Sequence, residues 1–469
     1  MSAARPRPQN RPPAAKPTSA RRSAPAPSVT GPDRRRRGDP ERTGDWDCAV
    51  SRVTRVGAAG PRPRDAGPPS MTGAAGGRWL LPVLVAAAFL VFAQAFMVAP
   101  LIPRLAQVFG TDTGSVGLAV PAYLLPYGLA TLVWGPLSDR FGRRAVIVTS
   151  LGLFAVLTAA TAAVTTVDAF LLLRLATGVG ASGIVPIALV LIGDLVVFER
   201  RGRALGWLFG AMAGGIAVGS TVGALAEPVI GWSGLFLTVA AFGAVVAVAC
   251  VALDAVPRLP IWASPPSLRA VSRGYRSLLS LRRARRTYGY VLLNAVLHGG
   301  VFTWLGLYLQ HRFGLGAVGI GLALLGYGVP GFLLGPLIGR LADRHGRARL
   351  IPFGVAVGAA AALTLAFPVP LIAVVAAVTV LSLGYDLTQP LLGGIVTDLP
   401  GNRGQAMGFN VFMLFTGFGL GSLLFQTALA AGFTAALGIF GAGALAAAAL
   451  AVPLFSQEQA RRRATAPPA

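Results

Sequence analysis

The sequence predicts an all-α polytopic membrane protein with twelve transmembrane helices in two six-helix halves. Three observations carry this. First, 54% of the 469 residues are hydrophobic and only 12% are charged, where soluble domains carry about a quarter charged residues. Second, the apolar residues gather into twelve runs, each near the length of about 20 residues that crosses a bilayer as a helix. Third, a charged string, GPLSDRFGRR at 135–144, returns as GRLADRHGRA at 339–348.

Residues 1 to about 70 come first. They hold 13 prolines and many arginines without apolar periodicity. Such a composition buries too little surface to offset its ordering entropy, so a disordered tail is expected. Its DRRRRGD string (33–39) suits anionic lipid headgroups or stands solvated. A third reading is that the tail is not translated, because Met71 opens MTGAAGGRWLLPVL just ahead of the first apolar run. No secretory signal precedes that run, which starts near Trp79 and is long enough to span.

Spans 1 to 6 fall at 79–101, 115–137, 145–165, 168–193, 204–226 and 232–254, forming an N-terminal half, 79–254. A basic loop, 255–287, follows. Spans 7 to 12 fall at 288–309, 317–338, 350–368, 371–395, 407–430 and 432–454, forming a C-terminal half, 288–454, before a short tail, 455–469. Glycine and proline inside the runs do not argue against helix, since both are common in membrane spans. In the basic loop, RGYRSLLSLRRARR (273–286) places leucines at helical spacing among arginines. It predicts an interfacial helix on the inner leaflet; a partner-binding role is the other reading.

The net charge of +24 has the size of a nucleic-acid binder's, but its distribution argues otherwise. Residues 1–78 hold 16 Lys and Arg against 6 acids. With the tail placed inside and the spans alternating, 22 arginines fall in interior loops, while only Arg104 and Arg312 fall outside. That is the positive-inside pattern. It predicts a multi-pass protein of the plasma membrane with both termini cytoplasmic and no nucleic-acid partner. The two cysteines, Cys48 and Cys250, give neither a disulfide framework nor metal-ligand spacing. No catalytic triad, metal set or phosphate-binding loop is present, so neither enzymatic activity nor ATP drive is expected.

The charged string repeats in register. Asp139 to Asp194 and Asp343 to Asp398 are both 55 residues apart, and each later acid closes the fourth span of its half. The two halves therefore read as two copies of one fold. Gly142 allows a tight reversal. Asp139 lies at the C-terminal, negative end of its own helix, where an anion needs a positive partner.

The chain here resembles the major facilitator superfamily, over residues 79–454. The first copy carries the family's turn in full, in Gly135, Leu137, Asp139, Arg140, Gly142, Arg143 and Arg144; the second carries Gly339, Leu341, Asp343, Arg344, Gly346 and Arg347, with Ala348 in place of the last arginine. The resemblance implies that Asp139 faces the start of span 11, near Ala406 to Gly408. It also implies that Asp194 pairs with an arginine of the turn such as Arg143, and that the cluster biases the two halves between alternative states. Span 5 is similar to the family's antiporter glycine motif through Gly206, Gly215, Gly219 and Gly223, with Ser220 replacing a proline and Ala224 the last glycine. Close packing through small residues explains the same spacing. Arg174 in span 4 is similar to a family arginine linked with proton coupling, and it could also snorkel outward.

Ionisable groups at membrane depth are costly and therefore functional candidates. Asp386 is twelve residues from Asp398, about 18 Å inside the boundary at 1.5 Å per residue. His298 is equally deep. Asn294 and His298 share a helix face, as do Asp386 and Gln389. Gln94, Tyr127, Asn410 and Gln426 add neutral groups. The expected cavity is water-filled around Asp386, otherwise apolar and aromatic, and without the arginine cluster that binds phosphate esters. It suits a hydrophobic or cationic organic solute.

The sequence thus predicts a monomeric secondary transporter without cofactor or metal, driven by the proton gradient and working as an efflux antiporter. Asp386 would carry the proton and His298 relay it, with Arg174 and Glu227 the alternative pair. Uptake symport and a non-transporting sensor or scaffold of the same fold are the rival readings.

Overall fold

The structure, a computed structural model, describes residues 77–258 and 267–465. The expected tail and Met71 lie outside them. Helices make up the fold, and no strand occurs among the described residues. Ten helices are long and apolar enough to cross a membrane: Arg78–Phe109, Thr113–Phe141, Arg143–Thr161, Val167–Leu195, Arg203–Ala252, Arg282–Phe313, Arg347–Ala366, Leu371–Thr397, Gly404–Ala431 and Phe433–Glu458.

Two features reconcile ten with the expected twelve. Arg203–Ala252 has 50 residues, more than twice what one crossing needs. It contains a single non-helical residue, Gly231, at φ 70° and ψ 165°. Spans 5 and 6 are therefore two helices that meet at Gly231, inside the 227–231 connection that the sequence predicted. Span 8 is instead broken into Ala317–Ala323 and Val329–His345, each too short to register alone. The sequence GYGVPG at 326–331 lowers the cost of the break, because glycine is weak in helix and proline removes a donor.

Packing repeats between the halves. Span 1 runs along span 5 as span 7 runs along span 11, span 3 packs on span 6 as span 9 on span 12, and span 2 on span 4 as span 8 on span 10. The halves meet through spans 2 and 11 and through spans 5 and 8, which are themselves equivalent under the repeat.

An aromatic seam fills the middle of this interface. The Tyr127 and Phe415 rings stack with centroids 3.9 Å apart, Phe92 meets Phe415 edge-on at 5.4 Å, and Phe96 meets both Phe302 and Phe418, at 5.6 and 5.3 Å. At the end opposite the charged turns, the halves also touch through a hydrogen bond from Gln426 Nε2 to the Gly114 carbonyl (3.0 Å) and through Trp304 lying over Gly117.

The predicted interfacial helix is shifted. It runs Leu268–Ser280, and Leu281 is extended at φ −75°, ψ 123°, so that 282–286 open the span-7 helix instead. Its apolar face is not given over to lipid. Val271 and Leu278 are buried, and Tyr275 packs on Phe409 of span 11 with ring centroids 5.7 Å apart, leaving Arg269, Arg273 and Arg276 exposed.

Candidate functional site

The two charged turns have the same backbone. Gly142 sits at φ 88°, ψ 143° and Gly346 at φ 84°, ψ 150°, a region that side chains avoid and glycine enters freely. Each turn is held by the same ion pair: Arg143 bonds Asp194, and Arg347 Nη1 bonds Asp398 at 2.5 Å. The expected pairing of Asp194 with Arg143 is therefore present.

Beyond that pair the copies diverge. Arg144 bonds Asp254 and the Val256 carbonyl (3.0 Å), fastening the end of span 6. Ala348, its counterpart, is buried. The end of span 12 is fastened instead by Arg283 and Arg286 on Glu458. Arg140 lies over the Phe141 ring at 5.6 Å, and Arg344 is exposed. Gly135 borders open space. The surroundings of Gly339 and the side chain of Asp343 are not among those described.

Asp139 makes no hydrogen bond to the start of span 11 among the described residues. It is half-buried, and the cation it feels is Arg143. The start of span 11 is served otherwise. Asn402 Oδ1 accepts from the Gln405 amide at 3.1 Å, and the Tyr288 hydroxyl donates to the Ala406 carbonyl at 3.0 Å. Among the described residues every ion pair stays within one half.

At mid-depth in the second half, Asp386 is 9% exposed. The Tyr327 and Tyr385 rings stand nearby. Ser382 Oγ donates to Asp386 Oδ2 at 3.1 Å, and the Gly331 backbone lies close against the same carboxylate. Asp386 thus faces the break in span 8. Gln389 turns elsewhere: Asn294 Nδ2 donates to Thr388 Oγ1 (2.9 Å) and Gln389 Oε1 (3.4 Å), tying span 7 to span 10. The expected shared face of Asp386 and Gln389 is therefore divided between two neighbours. His298 bonds the Tyr327 hydroxyl and stacks on Tyr385, ring centroids 4.4 Å apart.

In the first half, Arg174 is fully buried and does not snorkel. Its guanidinium donates to the carbonyls of Gln94 (3.3 Å), Ala95 (3.3 Å) and Ala119 (3.2 Å) and to Gln94 Oε1 (2.8 Å), and lies 4.3 Å from the Tyr123 ring centre. Gln94 and Ala95 close the helix Gly77–Phe96, where span 1 is interrupted before Ala99–Leu101. Arg174 therefore supplies donors to carbonyls that the interruption frees. Glu227, its expected alternative partner, bonds Arg104 Nε instead, at 2.9 Å.

The Major Facilitator Superfamily profile matches residues 84–422 and 313–468. The chain belongs to the major facilitator superfamily. It is 26% identical over 369 residues to the uncharacterized MFS-type transporter YwfA of Bacillus subtilis, covering 76% of this chain and 88% of that one. It is 29% identical over 141 residues to a chloramphenicol resistance protein of Pseudomonas aeruginosa, 30% of this chain and 34% of that one. Its fold matches the crystal structure of the human organic anion transporter MFSD10 with a TM-score of 0.66 at 19% identity, covering 81% of this chain and 99% of that one. As a member of this superfamily the protein is a multi-pass transporter of small solutes.

The remaining superfamily features have packing roles. Gly215 and Gly219 lie against the span-1 backbone at Phe89 and Ala93, and Gly223 against Met97; Gly206 borders open space. Three of the four glycines thus let spans 1 and 5 approach closely, as small residues do in any bundle. A cavity of about 490 Å³ opens at the end opposite the turns, lined by Arg104, Gln107, Glu227, Gln310, Leu315 and Ile320 among others. Sequence reasoning missed Ser382, Tyr327 and Gly331. Ser382 was within reach, four residues before Asp386 and so on its face.

Proposed function

We propose that the protein is a proton-driven antiporter that exports a hydrophobic or cationic organic solute from the cytoplasm by alternating access around the middle of the two-half interface. The observation that carries the reading is Asp386. It is a buried carboxylate at mid-depth with no cation beside it among the described residues, and a lone anion in that environment is relieved by taking a proton. A cationic solute and a proton that compete for one carboxylate give antiport without further machinery. The aromatic seam supplies an apolar lining, and cations bind favourably over ring faces.

The turn-bearing end is assigned to the cytoplasm, with both termini there and the plasma membrane as location. The protein works as a monomer, and the energy source is the proton gradient alone. The turns act on the balance between states: Arg143–Asp194 and Arg347–Asp398 stiffen each half while the halves rock. The similarity, over 30% of this chain, to a chloramphenicol resistance protein supports a role in resistance to an organic compound.

The test is a growth-inhibition panel, including chloramphenicol and ethidium, on deletion and overexpression strains. It is followed by ΔpH collapse in inside-out vesicles on adding each active compound. Overexpression should protect, and active compounds should collapse ΔpH. Sensitisation by overexpression would favour uptake symport, and no response to any compound would overturn the reading.

A further inference from the structure

We infer that the break in span 8 is a protonation-sensitive joint, capped from span 10 by Asp386 with Ser382 as its positioning residue. The inference rests on the reading of Asp386 as proton carrier and says which element the proton moves. The half-helix Val329–His345 begins at Gly328, which has φ 80° and, as a glycine, no side chain to cap its own helix. Pro330 removes one of the first amides. Of the remaining donors, the Gly328 amide donates to Ser382 Oγ at 2.9 Å, and the Gly331 backbone is brought up against the Asp386 carboxylate. Ser382 passes its own proton to Asp386 Oδ2 at 3.1 Å. The approach is so close that a Cβ on Gly331 would fall 2.6 Å from Oδ1. Span 10 thus supplies, across a helix–helix contact, the acceptors that an N-cap residue normally supplies from its own chain.

A carboxylate is the right charge for a helix N-terminus. Protonation removes the charge and turns one of its oxygens into a donor, which a cap cannot use. The half-helix is held at its other end by the same span, because Arg347, just past its C-terminus, bonds Asp398. Released at Asp386 and still tied at Asp398, it pivots about its turn-bearing end. The pivot bears on the interface between halves, since Gly328 lies against Ala213 and Ala217 of span 5. The titratable groups facing the joint are Tyr327 at the break, Tyr385 on span 10 and, through Tyr327, His298 on span 7; span 5 presents only the two alanines there.

Hydrogen–deuterium exchange of the full-length protein in lipid nanodiscs tests this, with rates normalised to intrinsic exchange and read on peptides covering 324–332 from mildly acidic to mildly alkaline pH. Protection of the Gly328 and Gly331 amides should fall about tenfold as Asp386 takes its proton, the weight of one charge-assisted bond. Asp386→Asn keeps an acceptor oxygen that does not titrate, so its protection should stay flat with pH. Ser382→Ala should displace the midpoint, and Ser382→Thr, which keeps the hydroxyl, should restore it. A wild-type profile as flat as that of Asp386→Asn, or an unmoved midpoint in Ser382→Ala, would overturn the joint. Ethidium export in vesicles is read in parallel. A flat exchange profile with ΔpH-driven export abolished in Asp386→Asn overturns the joint and leaves the proton-carrier reading standing; unimpaired ΔpH-driven export in that variant overturns the proton-carrier reading instead.

Discussion

In the first half a buried cation, Arg174, meets the carbonyls at the C-terminal side of an interrupted span 1; in the second half a buried anion, Asp386, lies against the N-terminal side of an interrupted span 8 and reaches its Gly328 amide through Ser382. Each charge has the sign that its helix end favours. The two differ in what can happen next. A guanidinium keeps its charge at any accessible pH and here spends its donors on three carbonyls and a side-chain amide. The carboxylate has few donors and can take up a proton. On the proposed reading the same device is a fixed staple in one half and a releasable cap in the other, an asymmetry that would let a two-fold-repeated fold move when one group titrates.

The largest expected effect breaks the staple. Arg174→Leu strands carbonyls that are buried, and each such group costs about 1–3 kcal/mol. Fluorescence-detected size-exclusion chromatography should show loss of most monodisperse protein. Asp386→Leu should leave that peak largely intact. Equal losses in both variants would erase the distinction.

Next come the turns, where the halves should behave alike. Gly142→Ala and Gly346→Ala each force a side chain into positive φ, at about 1–3 kcal/mol. Thermal melting in detergent should show both variants lowered by similar amounts. A silent Gly142→Ala alongside a destabilised Gly346→Ala would mean that only the backbones, and not the energetics, repeat.

The smallest effect concerns a cap made within its own segment. Asp112 accepts from the Ser115 amide at 2.9 Å and from its hydroxyl at 2.6 Å, and these bonds hold its carboxyl below the usual carboxylate range. A lowered value means the cap stabilises the fold above the unfolded-state pKa and is lost as pH falls through the folded one. Because the site is exposed, Asp112→Ala should cost only about 0.5 kcal/mol near neutral pH. The melting difference from wild type should vanish in acid; a difference that persists there would show that the carboxylate is not its source.

Much of this was legible in the sequence. The repeat announced itself through the turn and through the 55-residue spacing from Asp139 to Asp194 and from Asp343 to Asp398, because glycine at positive φ and a charge at a helix end leave few alternatives. Asp386, Arg174, Asn294 and His298 stood out by depth alone. Their partners did not: those of Arg174 are mainly backbone carbonyls, which carry no letter, while Thr388 and Tyr327 are ordinary letters that only the packing of the spans brings to Asn294 and His298. The break in span 8 was written in GYGVPG, but a glycine–proline run is ordinary in membrane helices. The turn between spans 5 and 6 was legible as the 227–231 gap, and Gly231 at positive φ marks where the chain changes direction within it.

The central claim is that Asp386 is the charge that switches. Its direct test is Asp386→Asn in proteoliposomes, with ethidium as the probe, an imposed pH gradient for driven transport, and unlabelled ethidium on the far side for exchange. The account predicts that gradient-driven accumulation is abolished while exchange remains measurable. Full gradient-driven accumulation in Asp386→Asn would contradict it.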